Sequence, residues 1–260
     1  MIKQHSNRLK SVLDTHLEAK SNEGGLLAHP DPLWVAREVA KPVPALACAL
    51  FGYGNAVQIV KFLRSIDFDI INQSENEIKS YFTKHKYRFQ NPVDVREIFI
   101  TLARLSKDNS IEEIINSGLK QESKIEQGIA KLMQKIYSLN PHRSDGYEFF
   151  FGKEFKGEPS SPLKRYNMYL RWMVRPDDID LGLFKSINTA SLLLPLDVHT
   201  HRISLALGLG KRKSYDFKAA LEITNKLREF DAKDPIKYDF ALYRIGQGKE
   251  LERVLEELSG

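Results

Sequence analysis

The chain has 260 residues, enough for one large domain or two closely packed ones. Its 39 Lys+Arg against 34 Asp+Glu leave a net charge of +5, and a hydrophobic content of 42% argues against a disordered chain. A single cysteine, Cys48, excludes an intramolecular disulfide framework and a cysteine-rich zinc or iron–sulfur centre. No run approaches the ~18 consecutive apolar residues of a membrane span, and the polar, charged N-terminus lacks a secretory apolar core. The expectation is a cytoplasmic protein with no membrane partner.

In chain order, helical periodicity predicts helices near 3–20, 31–40, 55–66 and 74–82. Residues 92–106 open on Asn91-Pro92, a cap followed by a first-turn proline. They place Val95, Ile98, Phe99, Leu102 and Leu105 on one stripe. Residues 122–138 do the same with Ile125, Ile129, Leu132, Met133 and Ile136. The stretch 140–161 carries Gly146, Gly152, Gly157 and several aromatics, and reads as a long functional loop. Helices follow over 162–175, 198–207, 215–230, 235–245 and 249–258. No alternating strand pattern persists, so the class is all-α.

Two charged residues stand at helix starts. Asp197, after the apolar run Leu192–Leu196, is placed as an N-cap, where the helix macrodipole favours a carboxylate. In Ser160-Ser161-Pro162-Leu163-Lys164, Ser161 reads as N-cap and Pro162 as N1, which makes Lys164 N3. That is an unfavourable place for a cation, so it suggests a nucleophilic amine. On the same helix, Lys164, Met168, Arg171 and Arg175 lie on one line. The line reads either as a track for phosphates or as a face paired with Asp177, Asp178 and Asp180. Lys84–Arg88, with Lys86 and Arg88, and Lys211-Arg212-Lys213 are compact basic clusters, either solvated loops or nucleic-acid contacts. Tyr87 and Phe89 beside the first cluster are stacking candidates or core residues. His199 and His201, two apart on a helix, face different sides, so no metal site is expected.

At Pro195-Leu196-Asp197-Val198-His199-Thr200-His201-Arg202 the chain resembles the helix-hairpin-helix DNA glycosylase superfamily, endonuclease III-like. It is nearest the archaeal 8-oxoguanine glycosylase branch and a related bacterial family of unassigned function. The strings Lys164-Arg165-Tyr166-Asn167-Met168, Leu170–Arg175 and Asp180-Leu181-Gly182-Leu183 carry the likeness to the latter. The Gly-rich hairpin of familiar members is absent. The resemblance implies two packed helical subdomains with a cleft between them. It puts a N-terminal helix and tail over 1–30 and a glycosylase-like domain over 31–260. Within that domain fall a helical bundle at about 55–160, a dyad-bearing region at 160–246 and a C-terminal helix at 249–258. It makes Asp197 the catalytic carboxylate and Lys164 the Schiff-base lysine. Asp239 and Tyr243, four apart, would join Asn55 and Trp172 in a base pocket. Arg171, Arg175, Lys211, Arg212, Lys213, Lys86 and Arg88 would hold DNA. The implied activity is excision of an oxidised purine from double-stranded DNA by a monomer without a cofactor. The alternatives are a catalytically inactive nucleic-acid or lesion-binding protein of the same fold, with RNA as another possible partner, and a helical adaptor.

Overall fold

The structure, a computed structural model, describes residues 2–20, 23–108, 110–122, 124–248 and 250–259. Fifteen α-helices carry labels here. The first are α1 (Ile2–Lys20), α2 (Glu23–Leu27), α3 (Pro32–Val39), α4 (Pro42–Leu50) and α5 (Ala56–Arg64). Next come α6 (Glu75–Tyr81), α7 (Pro92–Ser106), α8 (Ile111–Glu122), α9 (Ile125–Leu139) and α10 (Asp145–Phe151). The last are α11 (Lys164–Val174), α12 (Val198–Ala206), α13 (Phe217–Arg228), α14 (Asp239–Gln247) and α15 (Leu251–Ser259). Among the described residues there is no strand, only an isolated bridge between Tyr87 and Gln90. The all-α class is what the periodicity required. No helix among the described residues is long and apolar enough to cross a membrane.

The chain forms two compact units. One is continuous, Pro30–Glu158; the other joins Met1–His29 to Pro159–Gly260. The N-terminal segment clusters with the C-terminal part of the chain. Leu9 and Leu13 of α1 are buried, and the Tyr238 hydroxyl donates to Asp14 Oδ1 at 2.8 Å. Met1, Ser21 and Asn22 lie outside the described residues, as does Lys249, the first residue of the expected 249–258 helix.

In the continuous unit the predicted stripes of α7 and α9 are all buried. Asn91 caps α7, its Oδ1 accepting the Val93 and Asp94 N–H groups at 2.8 and 3.0 Å. Rings fill the core: Phe51 packs on Phe150 at 4.4 Å and Phe82 on Phe99 at 4.2 Å between centroids. Two helices escape the periodicity. α4 is buried on all sides from Val43 to Leu50, so it has no polar face to set a period. α8 lies so close to α9 that a Cβ on Gly118 would stand 2.4 Å from the Gln127 carbonyl oxygen. The expected loop 140–161 also contains a helix: Ser144 Oγ caps α10 by accepting the Tyr147 N–H at 3.1 Å.

The terminal unit has its own core, with Tyr169, Trp172, Leu194, Phe217, Ile223, Leu227 and Ile245 fully or almost fully buried. α12 packs on α14, and α1 packs on α14 and α15. Within this unit α11 opens on Lys164, α12 follows Asp197 and α14 opens on Asp239.

Candidate active site

Asp197 is set by what precedes it. Leu192, Leu193, Leu194 and Leu196 are buried, and the Leu194 N–H donates to Thr224 Oγ1 at 3.0 Å, pinning the run to α13. Asp197 is extended, with φ −111° and ψ 175°. Its Oδ1 accepts the Thr200 N–H at 2.8 Å, the N-cap arrangement the sequence predicts. The other oxygen is left for a different partner.

That partner is Lys164, whose Nζ lies 3.6 Å from Asp197 Oδ2. The two residues are 33 apart in sequence, so the fold and not local geometry brings them together. Lys164 is the first residue of α11, not the third. Leu163 adopts φ 51° and ψ 35°, a left-handed conformation unusual for leucine, and displaces Ser161 from the cap position. Asn167 holds this entry, its Nδ2 donating to the Pro162 carbonyl at 3.0 Å. The lysine and aspartate side chains keep 30% and 18% of their exposure, and Val198 beside them keeps 62%. A reactant can therefore reach both.

Arg171 and Arg175 correct the expectation of a phosphate track. Both are buried. Arg171 Nε donates to Asp180 Oδ2 at 3.0 Å and its Nη1 to Asp239 Oδ2 at 2.6 Å. Arg175 Nη1 lies 2.7 Å from both Asp180 Oδ2 and Asp177 Oδ2, and its Nε donates to Asp234. The paired-face alternative fits better, except that the face is interior. Burial pushes the Asp180 carboxyl up to about 6 against the pull of both guanidiniums. Burial likewise raises Asp239, opposed by Arg171, with the Asp197 charge adding to the rise.

The expected base-pocket residues differ in their surroundings. Trp172 is only 2% exposed and serves the core, with no face for a base. Asp239 opens α14, buried, with Oδ2 committed to Arg171. Tyr243 follows one turn later, partly exposed, with the Arg244 guanidinium 5.6 Å from its ring. Asn55 belongs to the continuous unit and spends its Oδ1 as N-cap of α5, accepting the Gln58 N–H at 3.3 Å.

Of the expected DNA contacts, Lys211, Arg212 and Lys213 are exposed in the terminal unit, and Lys86 and Arg88 are exposed in the other. Arg212 is paired with Asp216, Nε to Oδ1 at 2.7 Å. The 211–213 loop is tied to the dyad's own helix, since His201 Nε2 lies 2.9 Å from the Arg212 carbonyl oxygen. Tyr215 completes the tie and is a residue the sequence did not single out. Its hydroxyl donates to the Leu196 carbonyl at 2.9 Å, one residue before Asp197, while its ring stays exposed. Burial and the Asp197 charge push its phenol up to about 12.

A sequence model of the family DUF2400, described as a protein of unknown function, matches residues 31–248. The chain belongs to that family. The match spans all of α3 to α14 and so includes both residues of the lysine–aspartate pair. Neither the curated proteins nor the solved structures contain a match to the chain.

Proposed function

We propose that this protein is a DNA glycosylase with lyase activity, removing an oxidised purine through a Schiff base on Lys164. The observation that carries the reading is the 3.6 Å approach of Lys164 Nζ to Asp197 Oδ2 at two helix N-termini, open to solvent. A purely structural pair of that exposure would contribute little, about 0–1 kcal/mol. Loss of a purine base develops positive charge on the sugar, and Asp197 Oδ2 is placed to stabilise it. Asp197 also offers the lysine ammonium an acceptor for its proton, freeing the amine. Nζ then bonds to C1′, the glycosidic C–N bond breaks, and its electron pair leaves with the base, which takes up the proton that Asp197 received from the lysine and so leaves the carboxylate ionised. Opening of the sugar ring gives the imine, and loss of a C2′ proton expels the 3′ phosphate and cuts the strand.

The exposed Lys211 and Lys213 supply the phosphate contacts that the buried Arg171 and Arg175 cannot. Tyr243 and the exposed ring of Tyr215 are the aromatic faces of this unit for a base taken out of the stack. The alternative is a lesion-binding protein of the same architecture, favoured by the commitment of Asp239 to Arg171, which leaves one carboxylate oxygen fewer for reading a base edge.

The test is base release from duplexes carrying one oxidised, alkylated or deaminated base, compared between the wild type and Lys164→Gln. The wild type should release an oxidised purine and cleave the strand, and Lys164→Gln should not cleave it. Tight lesion binding with no release on any substrate would favour the binding alternative.

A further inference from the structure

The continuous unit carries an aromatic and cationic surface of its own. Across the turn Tyr87–Gln90, the Gln90 N–H donates to the Tyr87 carbonyl at 2.8 Å and the Tyr87 N–H to the Gln90 carbonyl at 3.0 Å. Arg88 and Phe89 form its two-residue tip. Such tips favour Asn-Gly, because positive φ is costly for other residues. Here Arg88 takes φ 49° with its full side chain.

The tip is braced from beneath. The Tyr87 hydroxyl donates to the Tyr53 carbonyl at 2.7 Å, the Tyr53 hydroxyl donates to Gln90 Oε1, and Gln90 Nε2 donates to the Gly146 carbonyl at 2.8 Å. Gly54 has φ 106°, a conformation that favours glycine, and the Arg88 guanidinium crosses it, with Nη1 2.5 Å from where a Cβ would stand.

What this scaffold holds up is aromatic and cationic. Phe89 is 57% exposed and Phe149 43%, with their rings edge to face at 4.8 Å. Tyr53 lies 4.9 Å from Phe149. The Arg88 guanidinium sits 5.2 Å from the Phe89 centroid. Lys84 and Lys86 are exposed alongside. Among the described residues no carboxylate forms an ion pair with Lys84, Lys86 or Arg88. An apolar protein surface would cover the rings but strand three cations. An acidic peptide would answer the cations but leave the rings wet.

We propose that this tip is a stacking platform for an unpaired base of a DNA strand. Phe89 and Phe149 take the base face, and Lys84, Lys86 and Arg88 take the flanking phosphates. The proposal goes beyond the glycosylase reading and stands without it.

The experiment measures binding of the full-length protein to a fluorescein-labelled oligothymidylate of about a dozen nucleotides, and quenching of a 2-aminopurine placed within it. Phe89→Ala is expected to weaken binding roughly tenfold and remove the quenching, with thermal unfolding unchanged. Phe89→Trp should keep both. Lys84→Gln with Lys86→Gln should flatten the log–log salt slope by about 1.4. Lys120→Gln, an exposed lysine of the same unit outside the tip, should leave every value at wild type. The proposal is overturned by absent binding at low salt, or by wild-type affinity in Phe89→Ala. Self-association that vanishes in Phe89→Ala overturns it too, since the platform would then be covered by a second copy.

Discussion

Asp197 divides its oxygens between a helix and an amine, and each half predicts a different response to substitution. Asparagine caps a helix about as well as aspartate, and the ion pair is part-exposed, so Asp197→Asn should move unfolding by no more than about 1 kcal/mol in urea. Base release in the same variant should fall by at least about a hundredfold, because only the charge has gone. A second readout lies in Tyr215, raised by burial first and by Asp197 second. Removing that charge should lower the phenol's titration, followed by ring carbon NMR with Tyr215→Phe as assignment control; an unmoved titration would place the carboxylate elsewhere. The Asp197 cap was legible because proline, an apolar run and Asp-x-x-Thr all point to a helix start. The position of Lys164 was not. Ser161-Pro162 is a common opening pattern, and nothing in a leucine announces the left-handed φ that overrides it.

Within α11, spacing alone put Lys164, Arg171 and Arg175 on one line but could not say whether that line faces water. Asp180 and Asp239 decide it, and they are supplied by segments distant from each other in sequence. Arg171→Ala would leave the buried Asp239 without its guanidinium and Asp180 with Arg175 alone, and should cost about 3–5 kcal/mol, read from urea denaturation. Lys211→Gln with Lys213→Gln should instead leave stability unmoved and flatten the salt dependence of duplex binding by about 1.8. If Arg171→Ala unfolds no more easily than the wild type, the buried network is not what holds the helix. α9 was readable to within a few residues because it has one wet and one dry face, and α7, buried through 98–103, because Asn91-Pro92 marks its start. α4 was invisible for the opposite reason, being dry all round.

At the scale of the molecule, the two ends of the chain build one unit, with α1 seated on α14 and α15. Amphipathicity revealed α1 as a helix but not its partner, because an apolar stripe does not name what covers it. Leu13→Ala should cost about 2–5 kcal/mol, and the loss should appear in the unfolding of the unit that holds Lys164 and Asp197. The family match places the whole pair within residues 31–248, so the chemistry proposed here is a claim about that shared region. It is tested most directly by borohydride reduction of the protein with a duplex bearing one abasic site, followed by peptide mapping of the crosslink. A covalent adduct should form on the peptide containing Lys164, be absent in Lys164→Gln and still form, more slowly, in Asp197→Asn. No adduct, or an adduct on another lysine that persists in Lys164→Gln, would contradict it.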